Sequence, residues 1–189
     1  MKTIARGVSA ILLSVLFSCA LKAQIITPGE LGFKRPGEAG TIHSPKQFGA
    51  YFCLPGPDDS YDTMSIMADM YGVLSGKHSS PGVKFTYNHS IVLGEWSIRD
   101  WNVGIYAGPG LSLGYLRDVD RTMGGMAGLN LAGGIKTHMQ RNIDFSLEFS
   151  SDIAFYISEN PRYHTIQLSM YKLGLTRFFY PQLKISYRL

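Results

Sequence analysis

The sequence predicts an all-β protein, an eight-stranded antiparallel up-and-down barrel that crosses a membrane. Three observations predict it. Apolar and other residues alternate over long stretches with a strand period of two. The non-apolar side of those stretches is crowded with Gly, Asn and Ala where a soluble sheet would carry Lys and Glu for solubility. Only 17% of the 189 residues are charged while 45% are hydrophobic, so few charges are available to cover a water-facing surface.

The chain opens on a separate object. Lys2 and Arg6 give a positive start, Val8 to Leu21 is an apolar run broken only by Ser, and LKA precedes Gln24, which together predict a cleaved secretory signal peptide over 1–23. The run is shorter than the roughly 20 residues a helix needs to cross a bilayer. Removing Lys2, Arg6 and Lys22 leaves 15 basic against 14 acidic side chains, a net charge of +1 instead of +4, and with it goes the compositional case for a nucleic-acid partner. Cys19 reads as a signal-peptide residue and not a lipid-attachment site, because Phe17 is bulky where such motifs prefer small residues. Cys53 is then the one cysteine of the exported chain and has no disulfide partner.

Residues 24–45 carry three prolines and four glycines without a period and are expected to be a flexible lead-in. The barrel is expected over 46–189. Its first apolar face is Phe48, Ala50, Phe52 and Leu54; the second is Met64, Ile66, Ala68 and Met70; the third runs from Val83 to Leu93, with His89 intruding. WNVGIYAGPGLSLGY, from Trp101 to Tyr115, sustains the alternation for about fifteen residues. Three more follow, from Ala127 to Ile135, from Ile143 to Ile157 and from Ile166 to Met170, before the closing stretch PQLKISYRL. The connections are rich in Gly, Pro, Asp and Asn, as turns require, and LGLTRFFYP is the tightest of them. No helical period follows the signal peptide.

If the large apolar side faces outward, its solvent must be hydrocarbon, where unpaired backbone groups are so costly that a strand protein has to close into a barrel. Tyr61, Trp96, Trp101, Tyr115, Tyr156, Phe178, Phe179 and Tyr180 fall near strand ends, where interfacial aromatic girdles belong. The chain resembles the small eight-stranded outer-membrane barrels of the opacity-protein and OmpX-like family. The resemblance covers 46–189 and rests on the Gly-rich YAGPGLSLGY and on PQLKISYRL, which fits the family's closing strand at Ile185 and Tyr187 and departs from it at Leu189. It implies residence in the outer membrane of a Gram-negative-type envelope, contact with outer-membrane lipids including lipopolysaccharide, handling by the barrel-assembly machinery, and a monomer.

The lumen of an eight-stranded barrel is just wide enough for its own side chains. The inward set includes Asn88, Asn130 and Gln167 and places four acids (Asp69, Asp144, Glu148, Asp152) among four bases (Lys84, Lys136, Lys184, Arg188), which predicts a salt-bridged structural plug in preference to a narrow conduit. No catalytic site, cofactor or metal site is expected. The five histidines are scattered without ligand spacing. His89 invites comparison with lipid A deacylases, which this chain resembles in size and architecture and which look to need His and Ser two apart on one face. Here Ser90 is adjacent and turned inward, and Ile91 holds the required position. His78 and Ser80 have that spacing but sit in the turn SGKHSSPG. Arg99, Arg117, Arg121, Arg141 and Arg162, in connections, are within reach of lipid phosphates, and most of them are expected to be simply solvated turn residues. The expected role is structural or surface-interacting and non-enzymatic. The alternatives are a lipid A-modifying enzyme, a narrow pore, and a soluble lipocalin-like carrier with its faces reversed.

Overall fold

In the computed structural model, residues 37–57, 60–70, 73–74, 81–98, 101–119, 123–138, 142–160 and 163–189 are described. They form nine strands: β1 (Glu38–His43), β2 (Gln47–Pro55), β3 (Ser60–Asp69), β4 (Gly82–Ile98), β5 (Trp101–Arg117), β6 (Met123–His138), β7 (Ile143–Asn160), β8 (Thr165–Met170) and β9 (Gln182–Arg188). A short helix, α1 (Lys172–Thr176), and a 3₁₀ turn (Arg177–Phe179) separate the last two strands.

Strands β1 to β7 each pair antiparallel with the next, and the sheet closes through β7–β9 and β9–β1. The result is a closed antiparallel barrel with eight wall positions. The eighth position is shared. Ile143 to Glu148 of β7 pair with β9, while Phe155 to Asn160 pair with β8, and α1 with the 3₁₀ turn spans the interval between them. Eight wall positions were expected from the sequence, but by a different composition. The stretch 38–43, at the end of the expected flexible lead-in, is a wall strand, and LGLTRFFYP is a helical insert and not a tight turn. The remainder of 24–45 before residue 37, and the signal peptide, lie outside the described residues.

Why β1 is a strand follows from its two neighbours. Glu38 to His43 pairs with Cys53 to Phe48 on one side and with Arg188 to Leu183 on the other, so every backbone group of the six residues has a ladder partner within reach. The chain end is tied down in the same way: the Leu189 amide donates to the Gly37 carbonyl at 2.8 Å.

The alternation resolves as a greasy exterior and a polar lumen. Leu111, Leu113, Leu129, Leu131, Ile135, Leu147 and Phe155 are exposed on the outer wall, while Ser65, Lys84, Asn88, Ser112, Asn130, Asp144 and Asp152 are buried inside. Phe149, on the face that decides the orientation, is 36% exposed. Glycines admit the inward side chains of neighbouring strands. A Cβ on Gly110 would lie 1.9 Å from Oδ1 of Asn88, so the position accepts hydrogen only. Of the aromatic residues expected in girdles, Trp96, Trp101, Tyr115, Phe178 and Phe179 are exposed. Tyr61 and Tyr156 are corrections, buried in the lumen at 6% and 2% exposure because their register positions face inward.

Candidate functional site: a polar lumen

The eight charged lumen residues expected from the sequence face the interior, and the strands bring six of them into charge contact with one another. Lys84 on β4 donates to Oδ2 of Asp152 on β7 at 2.5 Å, and Nδ2 of Asn130 donates to Oδ1 of the same carboxylate at 2.8 Å. Lys184 on β9 donates to Glu148 at 2.5 Å, and the Tyr106 hydroxyl donates to the same oxygen at 2.9 Å. Asp144 lies 3.2 Å from Nε of Arg188 and 3.0 Å from Nδ1 of His138. In a low-dielectric tube each of these charges would be costly alone, and their pairing across different strands is what makes the interior tolerable.

Two partners were not legible as such in the sequence. Lys136 pairs with Glu38 of β1, whose other carboxylate oxygen accepts from Ser186 at 3.0 Å. Asp69 pairs with Arg177 at 2.5 Å, a guanidinium delivered from the insert between β8 and β9. Glu38 belonged to a stretch read as lead-in and Arg177 to a stretch read as a turn. The available signal for Glu38 was Ile42, two β-repeats along on the same face of a six-residue strand.

The insert does more than supply a charge. Tyr171 and Leu173 join Leu116, Met126, Ala154 and Tyr156 in a buried apolar cluster. The Tyr156 and Tyr171 rings stack with centroids 5.8 Å apart, and the Tyr156 hydroxyl donates to the Leu116 carbonyl at 2.9 Å. Asp118, fully buried, accepts the Lys172 and Leu173 amides at 3.1 and 2.9 Å, satisfying two donors that the start of α1 leaves open. A Cβ on Gly174 would fall 2.2 Å from the Asp152 carbonyl oxygen, so only glycine lets the helix press this closely on the β7 backbone. On the side of the lumen lined by β1 to β4, Ile42, Tyr51, Cys53, Tyr61 and Met67 form a second buried cluster.

With these layers in place, the hollows beside Arg177 and beside Cys53 measure about 20 Å³ each, enough for about one water molecule. Both hollows are narrow and lined by polar as well as apolar side chains of the described residues.

The described backbone is similar to the N-terminal β-barrel domain of Pseudomonas aeruginosa OprF, with a TM-score of 0.50 and 10% identity, over 83% of this chain and 99% of that domain. The fold is that of an outer-membrane β-barrel. A major outer membrane protein from Thermus thermophilus is also similar, with a TM-score of 0.42 and 12% identity, over 81% of this chain and 99% of that one. No protein-family model matches the sequence. No curated protein matches it either.

On the outer wall of this barrel, His89 stands where the sequence placed it, facing out. Its Nδ1 lies 2.9 Å from Oδ1 of Asp62 on β3, and the Tyr87 hydroxyl donates to that same oxygen at 2.8 Å. Asp62 was not singled out in the sequence, because a lone acid near a turn looks solvated. Ser90 is 3% exposed and turned into the lumen, so it is not beside the imidazole. His78 and Ser80 lie outside the described residues, as do Arg99, Arg121, Arg141 and Arg162.

Proposed function

We propose that this protein is a sealed outer-membrane barrel of the small opacity-protein and OmpX-like kind, with a structural or surface-interaction role, held in the envelope by contact with lipopolysaccharide and other outer-membrane lipids. The filled lumen carries the reading. Ion pairs tie β1, β3, β4, β6, β7 and β9 together across the interior, and the helical insert stops the space between them. A barrel filled in this way gives rigidity to its wall and leaves its exposed connections to meet other molecules. The exposed ribbon of β7 and β8 supports the surface role: all six residues of β8 are exposed, on both of its sides.

Two measurements test it. Cell fractionation with heat-modifiable gel mobility should find a folded barrel in the outer-membrane fraction. Planar bilayers containing the purified protein should show no stepwise conductance, and regular single-channel steps would replace the plug with a pore.

A second reading, an enzyme acting on envelope lipids, is favoured by one observation: a carboxylate holds the His89 ring on the lipid-facing wall, as an acid orients a general base. Against it, Ile91 stands where the same-face hydroxyl nucleophile would be required. A His89→Ala strain with an altered lipid A acylation pattern would establish the enzyme.

A further inference from the structure

The hollow beside Arg177 lies where the turn between β1 and β2 meets the insert. Gln47, Asp69 and Gln182 reach it from the ends of β2, β3 and β9, and Arg177 reaches it from the 3₁₀ turn. Lys46, half-buried, and Thr176, exposed, stand at its rim. The turn is held in place: the Ser44 hydroxyl donates to the Gln47 carbonyl at 3.2 Å, and the Met70 amide donates to the Lys46 carbonyl at 2.8 Å.

Most polar side chains around this hollow are engaged. Nη2 of Arg177 donates to Oδ2 of Asp69 at 2.5 Å, Nε2 of Gln182 donates to the Ser150 hydroxyl at 3.1 Å, and the Thr176 hydroxyl donates to the Leu173 carbonyl at 3.0 Å. Two donors are left over. Among the described residues, Nε2 of Gln47, a residue only 5% exposed, and Nη1 of Arg177 are buried without a hydrogen-bond partner. No buried side-chain acceptor lining the hollow is left over with them. A water molecule would bring two hydrogens to a place that offers no open side-chain acceptor, whereas an anionic oxygen accepts from both donors and brings none. The charge agrees: Lys46 and Arg177 face one acid, Asp69, a formal balance of +1 around the hollow.

We propose that this hollow is a phosphate site, receiving one oxygen of a phosphate group from Gln47 and Arg177. Room for about one water molecule admits a single non-bridging oxygen and leaves the phosphorus at the rim, beside the Lys46 ammonium. That ammonium is held over the Tyr180 ring, 4.0 Å from its centre. Free phosphate and a lipid headgroup share this chemistry, and the next two residues favour the lipid. Within one 3₁₀ turn Arg177 faces inward while the Phe178 and Phe179 rings are exposed, and Phe178 lies 5.8 Å from the Phe149 ring on the outer wall. Exposed aromatic rings of this kind sit at headgroup level in a bilayer, so a lipid phosphate at Arg177 has apolar surface beside it for its chains. The inference rests on the reading of the chain as a barrel in contact with outer-membrane lipids, and it gives that contact a place.

The test uses the full mature chain folded in dodecyl maltoside, a detergent without phosphate. Calorimetric titration with dihexanoyl phosphatidic acid and, separately, with inorganic phosphate at constant ionic strength reports binding, and heat-modifiable gel mobility confirms that each variant is folded. Phosphatidic acid should bind once per chain and more tightly than inorganic phosphate; the opposite order keeps the phosphate site and assigns it to the free ion. Gln47→Leu removes one open donor at similar volume and should weaken phosphatidic acid about tenfold, without lowering the urea midpoint of the unliganded barrel. Arg177→Lys keeps a cation facing Asp69 but removes Nη1, and should weaken it to a similar extent. Lys172→Gln, exposed on α1 outside the hollow, should bind as the wild type does. A folded wild type that binds neither probe overturns the proposal, and so do Gln47→Leu and Arg177→Lys variants that bind phosphatidic acid as tightly as the wild type. A non-conducting barrel without binding refutes this site alone, whereas conductance steps from protein that still binds phosphatidic acid refute the sealed barrel alone.

Discussion

Strands β8 and β9 lie on the same edge of β7, and both alternate in sequence, yet one is wholly exposed and the other is half buried. In TIQLSM every residue is exposed; in QLKISYR the inward positions Gln182, Lys184 and Ser186 are buried and the outward ones are not. The difference lies in the second neighbour. β9 is paired on both edges, by β7 and by β1, and so closes the wall, whereas among the described residues β8 pairs only with β7. An alternating sequence therefore specifies a strand, while burial of one of its faces is conferred by closure. Lys184 has meaning as half of a buried ion pair only because β1 completes the ring around it.

The comparison can be broken most forcefully at Lys184. Lys184→Met leaves Glu148 buried beside an apolar group and should cost about 3–5 kcal/mol, measured by urea unfolding of the folded barrel in detergent. Adding Glu148→Gln should recover most of the loss. Next comes the outward face of the closed strand. Ile185→Arg should cost about 2–4 kcal/mol if that site faces the middle of the bilayer, and Leu168→Arg on β8 should cost under about 1, both measured in lipid vesicles. Equal costs at the two sites would erase the distinction between a lipid-embedded strand and an exposed ribbon.

At the junction between the two strands, Gly174→Val drives a branched side chain into the β7 backbone at Asp152. It should cost about 1–3 kcal/mol and unseat Leu173, and conductance steps in planar bilayers, silent in the wild type, would report the loosened stopper. The smallest effect is expected on β8 itself. Gln167→Ala should stay within about 0.5 kcal/mol of wild type, a null that a buried lumen position would not give.

Much of this architecture was legible because long strands leave a long record. β5 and β7 repeat their alternation often enough that orientation and lumen content could be read together, down to Lys84, Asp152, Lys184 and Glu148. What stayed hidden was short or inverted. β1 has only six residues, its inward side holds Glu38, Gly40 and Ile42, and its outward side holds Ala39, Thr41 and His43, so no apolar face marks it. It is a strand because two neighbours pair with it, which is information that lies far along the chain. The five residues of α1 span too little to show a helical period, and its start is capped by Asp118, distant in sequence. Arg177 could be assigned to Asp69 only once that helix was in place. Gln167 is the converse case, read as a lumen residue from alternation that β8 shares with its closed neighbours, and exposed because no described strand pairs with the far edge of β8.

The ladder joining Glu38 to Arg188 and His43 to Leu183 has a kinetic meaning. These hydrogen bonds connect positions separated by nearly the whole barrel sequence, so they are the last that a chain delivered from its N-terminus can make. Until then β1 presents bare amides and carbonyls as an open edge, ready to template the wrong neighbour. Folding of this protein is therefore a race between ring closure and edge-to-edge misassociation, and whatever shields β1 while the remainder of the chain arrives governs the yield of native molecules.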